Sequence, residues 1–139
     1  MNYKDILKKG KSKIAVWGTG YIGLSTMAFF SKNKIKCVGY DIDKKKVNTI
    51  NSGKLPIKEL KDWFGFDIKN SVNKQYLTAT NNHNIFEDNF FNVHFIAIPT
   101  EKNGKPFFDI LFNVLRKLIK IIRKKNKIKP VIIIESTLT

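Results

Sequence analysis

Residues 13–23 read KIAVWGTGYIG and are the most informative segment for the architecture of the chain. Its first part, residues 13–17, is a short apolar run of the kind found in strands that are buried on both faces. The remainder has the pattern G-x-G-x-x-G, and apolar residues at helical spacing continue from it to about residue 32. The stretch therefore predicts a strand that passes through a tight glycine turn directly into a helix.

The rest of the chain repeats the alternation of strand and helix. Further strands are predicted at 35–40, 76–80, 93–98 and 131–134, and helices at 44–51 and 109–126, with Asp109 as the N-cap of the second. Residues 54–75 keep no period and predict a short helix and a packed loop. Continuous apolar strands alternating with helices indicate an α/β fold with a doubly wound, mostly parallel sheet of the Rossmann type, with 131–134 as a buried strand.

Length and composition exclude several classes of protein. A chain of 139 residues with 42% hydrophobic residues is expected to fold as one domain, residues 1–139, rather than to be disordered. The single cysteine, Cys37, allows no internal disulfide and indicates a reducing compartment. The N-terminus lacks the apolar segment of a signal peptide, and no apolar run is long enough to span a membrane. We therefore expect a cytoplasmic protein with no membrane partner.

The formal charge of +15 has two interpretations. It could indicate a nucleic-acid or anionic-membrane binder, because clustered cations attract phosphates. However, only Arg116 and Arg123 among the 26 basic residues are arginines, and the chain also holds 14 Asn and 19 Ile. This composition favours a general lysine bias on a solvated surface, so nucleic acid is not the expected partner. Residues 110–130 hold eight basic residues and no acid, and partner binding by this segment stays open.

The three glycines have separate expected roles in dinucleotide binding. Gly18 allows the tight turn, Gly20 lets a pyrophosphate approach the backbone, and Gly23 permits close packing of the helix on the strand. The N-terminus of the helix would hold the pyrophosphate, with the backbone N–H groups of Tyr21 and Ile22 as donors. A glycine motif is weak evidence alone, but its position between a strand and a helix makes it informative.

An acidic residue stands where the adenosine ribose is expected. Asp41 ends the second predicted strand, 18 residues after Gly23, and its carboxylate would accept the ribose hydroxyls and repel a 2′-phosphate. The cofactor is therefore predicted to be NAD rather than NADP. The run 44–46, all lysine, is the opposing argument, because it could accept a 2′-phosphate. We expect Asp43, Lys44 and Lys45 to lie on a solvated face, with Lys46 able to turn back toward the ribose.

Together these segments resemble the UDP-glucose/GDP-mannose dehydrogenase family, especially its branch acting on UDP-N-acetylhexosamines such as UDP-N-acetyl-D-mannosamine. The resemblance spans nearly the whole chain. The segments that carry it are 14–24 (IAVWGTGYIGL), 39–43 (GYDID) with Lys46 and Val47, 53–57 (GKLPI), 95–100 (FIAIPT) and 132–137 (IIIEST).

The resemblance implies an activity and a set of site residues. Such enzymes oxidise the C6 alcohol of a nucleotide sugar to a carboxylate, using two NAD and a catalytic cysteine. Carried over, Ile22 would contact the pyrophosphate, and Asp41 and Lys46 the adenosine ribose. The remaining implied contacts are at Pro99 and Thr100, after the fourth main strand, and at Thr137, beside the nicotinamide, where its hydroxyl could also orient a catalytic water.

The chain also departs from the family pattern. Family members usually continue into a central helical domain and a sugar-nucleotide domain, so residues 1–139 are expected to be the N-terminal NAD-binding domain, as an excised fragment or a truncated product. No cysteine matches the catalytic position, and Cys37 is expected to be a small buried hydrophobe. The chain alone would bind NAD without activity, whereas the longer enzyme would bind a UDP-sugar and form a homo-oligomer. The Glu-Pro-Gly turn of the UDP-glucose branch is missing from 58–75, which leaves the sugar open.

Other candidate residues have structural explanations. His83 is expected in a loop and His94 in or beside the core, with no metal site at either. Trp17 and Trp63 are expected to pack, and Glu135 to act as a base or as a positioning group. A second function stays open, a non-catalytic Rossmann module that senses dinucleotides or binds nucleic acid through its basic surface.

Overall fold

A computed structural model describes residues 3–65, 67–88, 91–124 and 130–136. Within these residues the helices are α1 (Tyr3–Lys8), α2 (Tyr21–Lys32), α3 (Lys44–Asn51), α4 (Leu60–Phe64), α5 (Lys69–Asn73) and α6 (Asp109–Lys124). The strands are β1 (Lys13–Trp17), β2 (Cys37–Tyr40), β3 (Leu77–Thr80), β4 (Phe91–Ile96), β5 (Glu101–Lys102), β6 (Lys105–Pro106) and β7 (Val131–Ile134). A 3₁₀ helix covers His83–Glu87.

Five strands form one parallel sheet in the order β3-β2-β1-β4-β7, and β5 and β6 form a separate small hairpin. The chain adds β2 and β3 on one side of β1 and then returns to add β4 on the other side. Trp17, the last residue of β1, pairs with Tyr40 of β2 and Ile96 of β4. The carboxyl ends of these three strands therefore meet at one edge of the sheet, at the point where the winding reverses and where such sheets bind ligands.

Helices cover both faces of the sheet. On one face α2 and α3 pack with Ile14, Val16 and Leu77 in a fully buried core. On the other face α6 packs against Trp17 and Ile96. The apolar stripe of α6 consists of Leu111, Val114, Leu118 and Ile121. This is the predicted α/β doubly wound Rossmann-type architecture.

Two regions differ from expectation. Residues 54–75 contain two short helices, α4 and α5, and the expected packing role of Trp63 is wrong, because its side chain is 76% exposed. β7 forms as predicted but is not buried, since it is the edge strand of the described sheet and Ile132, Ile133 and Ile134 are 40%, 36% and 39% exposed. An apolar run predicts the strand, whereas the strand order determines its burial.

The described residues contain no helix that is long and apolar enough to span a bilayer.

Candidate functional site

The glycine turn joins β1 to α2 at the carboxyl edge of the sheet. Gly18 has φ +93°, and a Cβ there would collide with the backbone oxygen of Ala97 at the end of β4. A Cβ on Gly23 would collide with the backbone oxygen of Gly18. Both positions therefore require glycine, because the turn, β4 and the first turn of α2 are in direct contact. Beside Gly20 the space is open, with no protein atom where a Cβ would lie.

The N-terminus of α2 faces this open space. Gly20 precedes the helix and supplies no side-chain cap, and Tyr21 and Ile22 in the first turn are about half exposed. The first N–H groups of a helix have no partner within the helix, and they lie at the positive end of its dipole. This end of α2 is therefore suited to bind an anionic group such as a pyrophosphate.

Asp41 immediately follows β2 and is 8% exposed. Its Oδ2 accepts hydrogen bonds from the Thr19 N–H at 3.0 Å, the Thr19 hydroxyl at 2.7 Å and the Lys46 ammonium at 3.1 Å. Its Oδ1 accepts one from the Asp43 N–H at 3.0 Å. The carboxylate thus ties the glycine turn to the start of α3, and Oδ1 keeps acceptor capacity for a further donor.

These hydrogen bonds determine the charge state of Asp41. Burial by itself would raise the pKa of the carboxyl, but the donors from Asp43, Thr19 and Lys46 outweigh it and hold the pKa below the usual value. Asp41 is therefore ionised at neutral pH and offers a negative charge at the mouth of the glycine turn.

Helix α3 places Lys46 beside this carboxylate. Asp43 is the N-cap of the helix, and its Oδ1 accepts from the N–H groups of Lys45 and Lys46 at 2.9 and 3.2 Å. Lys44 and Lys45 are exposed, as expected, whereas Lys46 points back to Asp41. We call Thr19, Asp41 and Lys46 the β2 end of the site.

The opposite wall follows β4. Ala97, Ile98 and Pro99, which we call the β4 end, line a cavity of about 520 Å³ together with Gly18, Gly20 and the β2 end. The loop is held against β1, because the Ala97 N–H donates to the Trp17 carbonyl at 2.9 Å. A single cleft therefore runs along the carboxyl edge of the sheet, from the carboxylate of Asp41 to the loop after β4.

The cleft includes residues that sequence reasoning missed. Thr19, an unassigned position of the glycine motif, supplies two of the donors to Asp41. Helix α6 contributes Ile110, Asn113 and Lys117 at 3–4 residue spacing. The only sequence signal for the α6 residues is that this helix follows β4, and a helix in that position begins beside the carboxyl ends of the strands.

Some predicted site residues lie outside the cavity lining, and these include Tyr21 and Ile22, which follow Gly20 in the first turn of α2. Gly23 packs beneath the turn, and Thr100 is buried next to the loop, with its carbonyl accepting from the Phe107 N–H at 2.7 Å. Thr137 lies outside the described residues. Glu135 accepts from the Thr26 hydroxyl of α2 with both carboxylate oxygens, at 3.0 and 2.8 Å.

The remaining candidate functional residues lie in environments that explain them by packing rather than by ligand binding. Cys37 is buried, and desolvation raises the pKa of its thiol, so it is the expected small hydrophobe. His94 is fully buried in the core, where its Nδ1 accepts from the Trp17 indole at 3.3 Å. His83, expected in a loop, instead begins the 3₁₀ helix, and partial burial and the charge of Lys117 lower its pKa. No group of three or more metal-ligating side chains occurs among the described residues.

A family profile and two curated relatives place the chain in the same protein family. The profile of the UDP-glucose/GDP-mannose dehydrogenase family, NAD binding domain, matches residues 12–139. The chain is 37% identical to a UDP-N-acetyl-D-mannosamine dehydrogenase of Campylobacter jejuni, over 91% of this chain and 29% of the relative. It is 38% identical to a UDP-glucose 6-dehydrogenase of Campylobacter jejuni subsp. jejuni serotype O:2, over 90% of this chain and 30% of the relative.

A solved dehydrogenase structure has the same fold as this chain. The UDP-D-ManNAc dehydrogenase from Pyrococcus horikoshii superposes with a TM-score of 0.74 at 29% identity, covering 91% of this chain and 28% of that one. The chain thus spans less than a third of the length of these relatives. The profile match over nearly the whole chain, the two relatives and the shared fold show that the chain belongs to the UDP-glucose/GDP-mannose dehydrogenase family and is an NAD-binding domain of that family.

Proposed function

We propose that this domain binds NAD in the cleft at the carboxyl edge of the sheet, as part of a nucleotide-sugar 6-dehydrogenase. The observation that carries the proposal is the buried carboxylate of Asp41, which accepts hydrogen bonds from the glycine turn and from Asp43 and lines one cleft with Gly20 at the start of α2. The helix end suits the pyrophosphate, and Asp41 with Lys46 suits the hydroxyls of the adenosine ribose. When bound, NAD⁺ supplies the hydride acceptor.

The proposed substrate of the longer enzyme is a UDP-N-acetylhexosamine such as UDP-N-acetyl-D-mannosamine, oxidised at C6 from the alcohol to the carboxylate with two NAD. The similarity to a UDP-N-acetyl-D-mannosamine dehydrogenase over 91% of this chain supports it. We also propose that the longer enzyme is a homo-oligomer in the cytoplasm. Thr137 is kept as a proposed cofactor contact with a supporting role in catalysis.

The NAD assignment is tested by calorimetric titration of the chain with NAD⁺ and NADP⁺. We expect saturable binding of NAD⁺ and weaker binding of NADP⁺, because a 2′-phosphate would lie against the negative charge of Asp41. Asp41→Ala should weaken NAD⁺ binding by about 10- to 100-fold, the usual range for losing hydrogen bonds to a charged group. Stronger binding of NADP⁺, or no binding of either, would contradict the assignment.

Two controls accompany this titration. Asp62→Ala on α4 makes the same change of charge at an exposed position outside the cavity lining, and it should leave the affinity unchanged. The chain mixed with NAD⁺ and UDP-N-acetyl-D-mannosamine should form no NADH, because residues 12–139 match only the NAD-binding domain of the family and the chain carries no sugar-nucleotide domain to hold the substrate.

A further inference from the structure

Ser136 makes a paired contact with the loop that forms the β4 end. It lies two residues after β7, and its Oγ donates to the Ile98 carbonyl at 2.6 Å and accepts from the Ile98 N–H at 3.1 Å. A hydroxyl carries one donor and two acceptor lone pairs, so it can make both hydrogen bonds at once. One side chain therefore satisfies both backbone polar groups of a single residue that is 38 positions away in the chain.

This contact holds one side of the loop. On the other side, the Ala97 N–H donates to the Trp17 carbonyl at 2.9 Å, next to the glycine turn. Ser136 is half-buried and does not line the cavity, whereas Ile98 does. The short hydrogen bonds of Ser136 therefore connect it to the cleft wall through Ile98, next to Pro99, and its Oγ also lies 3.5 Å from the carbonyl oxygen of Ile96 at the end of β4.

The neighbouring residue makes a different connection. Glu135 joins β7 to α2 through the Thr26 hydroxyl. This link does not reach the loop after β4. Thr26 and Ser136 are thus two hydroxyls that hold the end of β7, and only Ser136 bonds to the β4 end. Variants that remove the hydroxyl of Thr26 or of Ser136 therefore provide a matched test of the contact with the β4 end.

We propose that Ser136 is a positioning residue for the nicotinamide half of NAD, acting through the backbone of Ile98. This inference rests on the proposed function, which places the adenosine ribose at Asp41 and the pyrophosphate at the N-terminus of α2. The remaining half of the dinucleotide then extends toward β4, where Ala97, Ile98 and Pro99 form the wall. Loss of the Ser136 hydroxyl would leave the Ile98 N–H and carbonyl without these partners, and the wall would shift.

The experiment compares NAD⁺ with ADP-ribose, which lacks the nicotinamide, by calorimetric titration of the 139-residue chain and its variants. Ser136→Ala should weaken NAD⁺ binding by about tenfold and change ADP-ribose binding by less than about twofold. Ser136→Thr keeps the hydroxyl and should restore NAD⁺ affinity to within about threefold of the unchanged protein. Thr26→Val should leave the ratio of the two affinities unchanged.

Equal weakening of both ligands by Ser136→Ala, or no weakening of NAD⁺ binding, would overturn the inference, as would a change of the ratio in Thr26→Val. A second measurement does not depend on the variant folding. In the unchanged chain, amide hydrogen exchange of Ile98 should slow more with NAD⁺ than with ADP-ribose, and equal slowing would contradict the inference.

The outcomes separate this inference from the proposed function. If the unchanged chain binds neither NAD⁺ nor ADP-ribose, the proposed function itself fails. If it binds both and Asp41→Ala weakens both, but Ser136→Ala leaves their ratio unchanged, only the role of Ser136 is wrong.

Discussion

The two ends of the cleft are built in different ways. The β2 end lies between Thr19 and Lys46, within the two consecutive units β1-α2 and β2-α3, and its charges are satisfied within that stretch. The β4 end depends on a backbone contact with β1 and on Ser136, which is distant in sequence. The β2 end therefore needs only the pairing of β1 with β2, whereas the β4 end also needs β4 and the segment after β7 to be in place.

The largest expected effect comes from the glycine turn that both ends share. Gly23→Ala should lower the free energy of unfolding by about 3 kcal/mol, because the new Cβ would collide with the Gly18 carbonyl and push α2 away from β1. Urea unfolding followed by circular dichroism measures the change. Gly20→Ala is the control, since its Cβ would meet no protein atom and its effect on stability should stay below about 1 kcal/mol. Equal stability of the two variants would contradict the packing argument.

The next effect compares the removal of one hydroxyl at the β2 end with the removal of another where the end of β7 meets α2, a contact that belongs to neither end of the cleft. Thr19→Val removes a fully buried hydroxyl that donates to the ionised Asp41 at 2.7 Å, and it should lower the free energy of unfolding by about 2 kcal/mol. Thr26→Val removes the partly buried contact with Glu135 and should cost less than about 1 kcal/mol. Thermal unfolding of both variants gives the comparison, and a larger loss for Thr26→Val would reverse our ranking.

The smallest expected effect is on the pH dependence of stability. Because the folded-state pKa of Asp41 is lowered, its contribution is fully present above its unfolded pKa and is lost as pH falls through its folded pKa. Between pH 6 and pH 3 the unchanged chain should therefore lose more unfolding free energy than Asp41→Asn, which cannot ionise at this position. Denaturant titrations at several pH values test this. Parallel pH profiles for the two proteins would show that the carboxylate contributes nothing through its charge.

Prediction from sequence succeeded where short-range patterns determine the outcome. The glycine turn lies between β1 and α2 as expected, and Lys46 turns back toward Asp41. The fold class follows from the same logic, because buried parallel strands and amphipathic helices have distinct periodicities. The roles of Tyr21 and Ile22 at a bound pyrophosphate stay predictions.

Sequence reasoning failed where burial depends on neighbours distant in the chain. Trp63 is apolar and aromatic, yet α4 leaves it exposed. The apolar run of β7 resembles that of β1, but β7 lies at an edge of the described sheet. Lys117 looks like one more surface lysine, although it lines the cleft and lies 5.8 Å from the centre of the Tyr40 ring. The local spacing of apolar and polar residues does not show whether such side chains are buried, exposed or part of the cleft.

Local sequence patterns were enough to predict the strand, glycine turn and helix of the first unit and the acidic residue after the second strand. The physical reason is that glycine conformation, helix termini and apolar periodicity act over a few residues. The hydrogen bond from Thr19 to Asp41, the position of α6 along the cleft and the hydrogen bonds between Ser136 and Ile98 depend instead on the packed fold. These contacts join segments that are brought together by the strand order and the helix crossings, and they form only when the sheet is assembled.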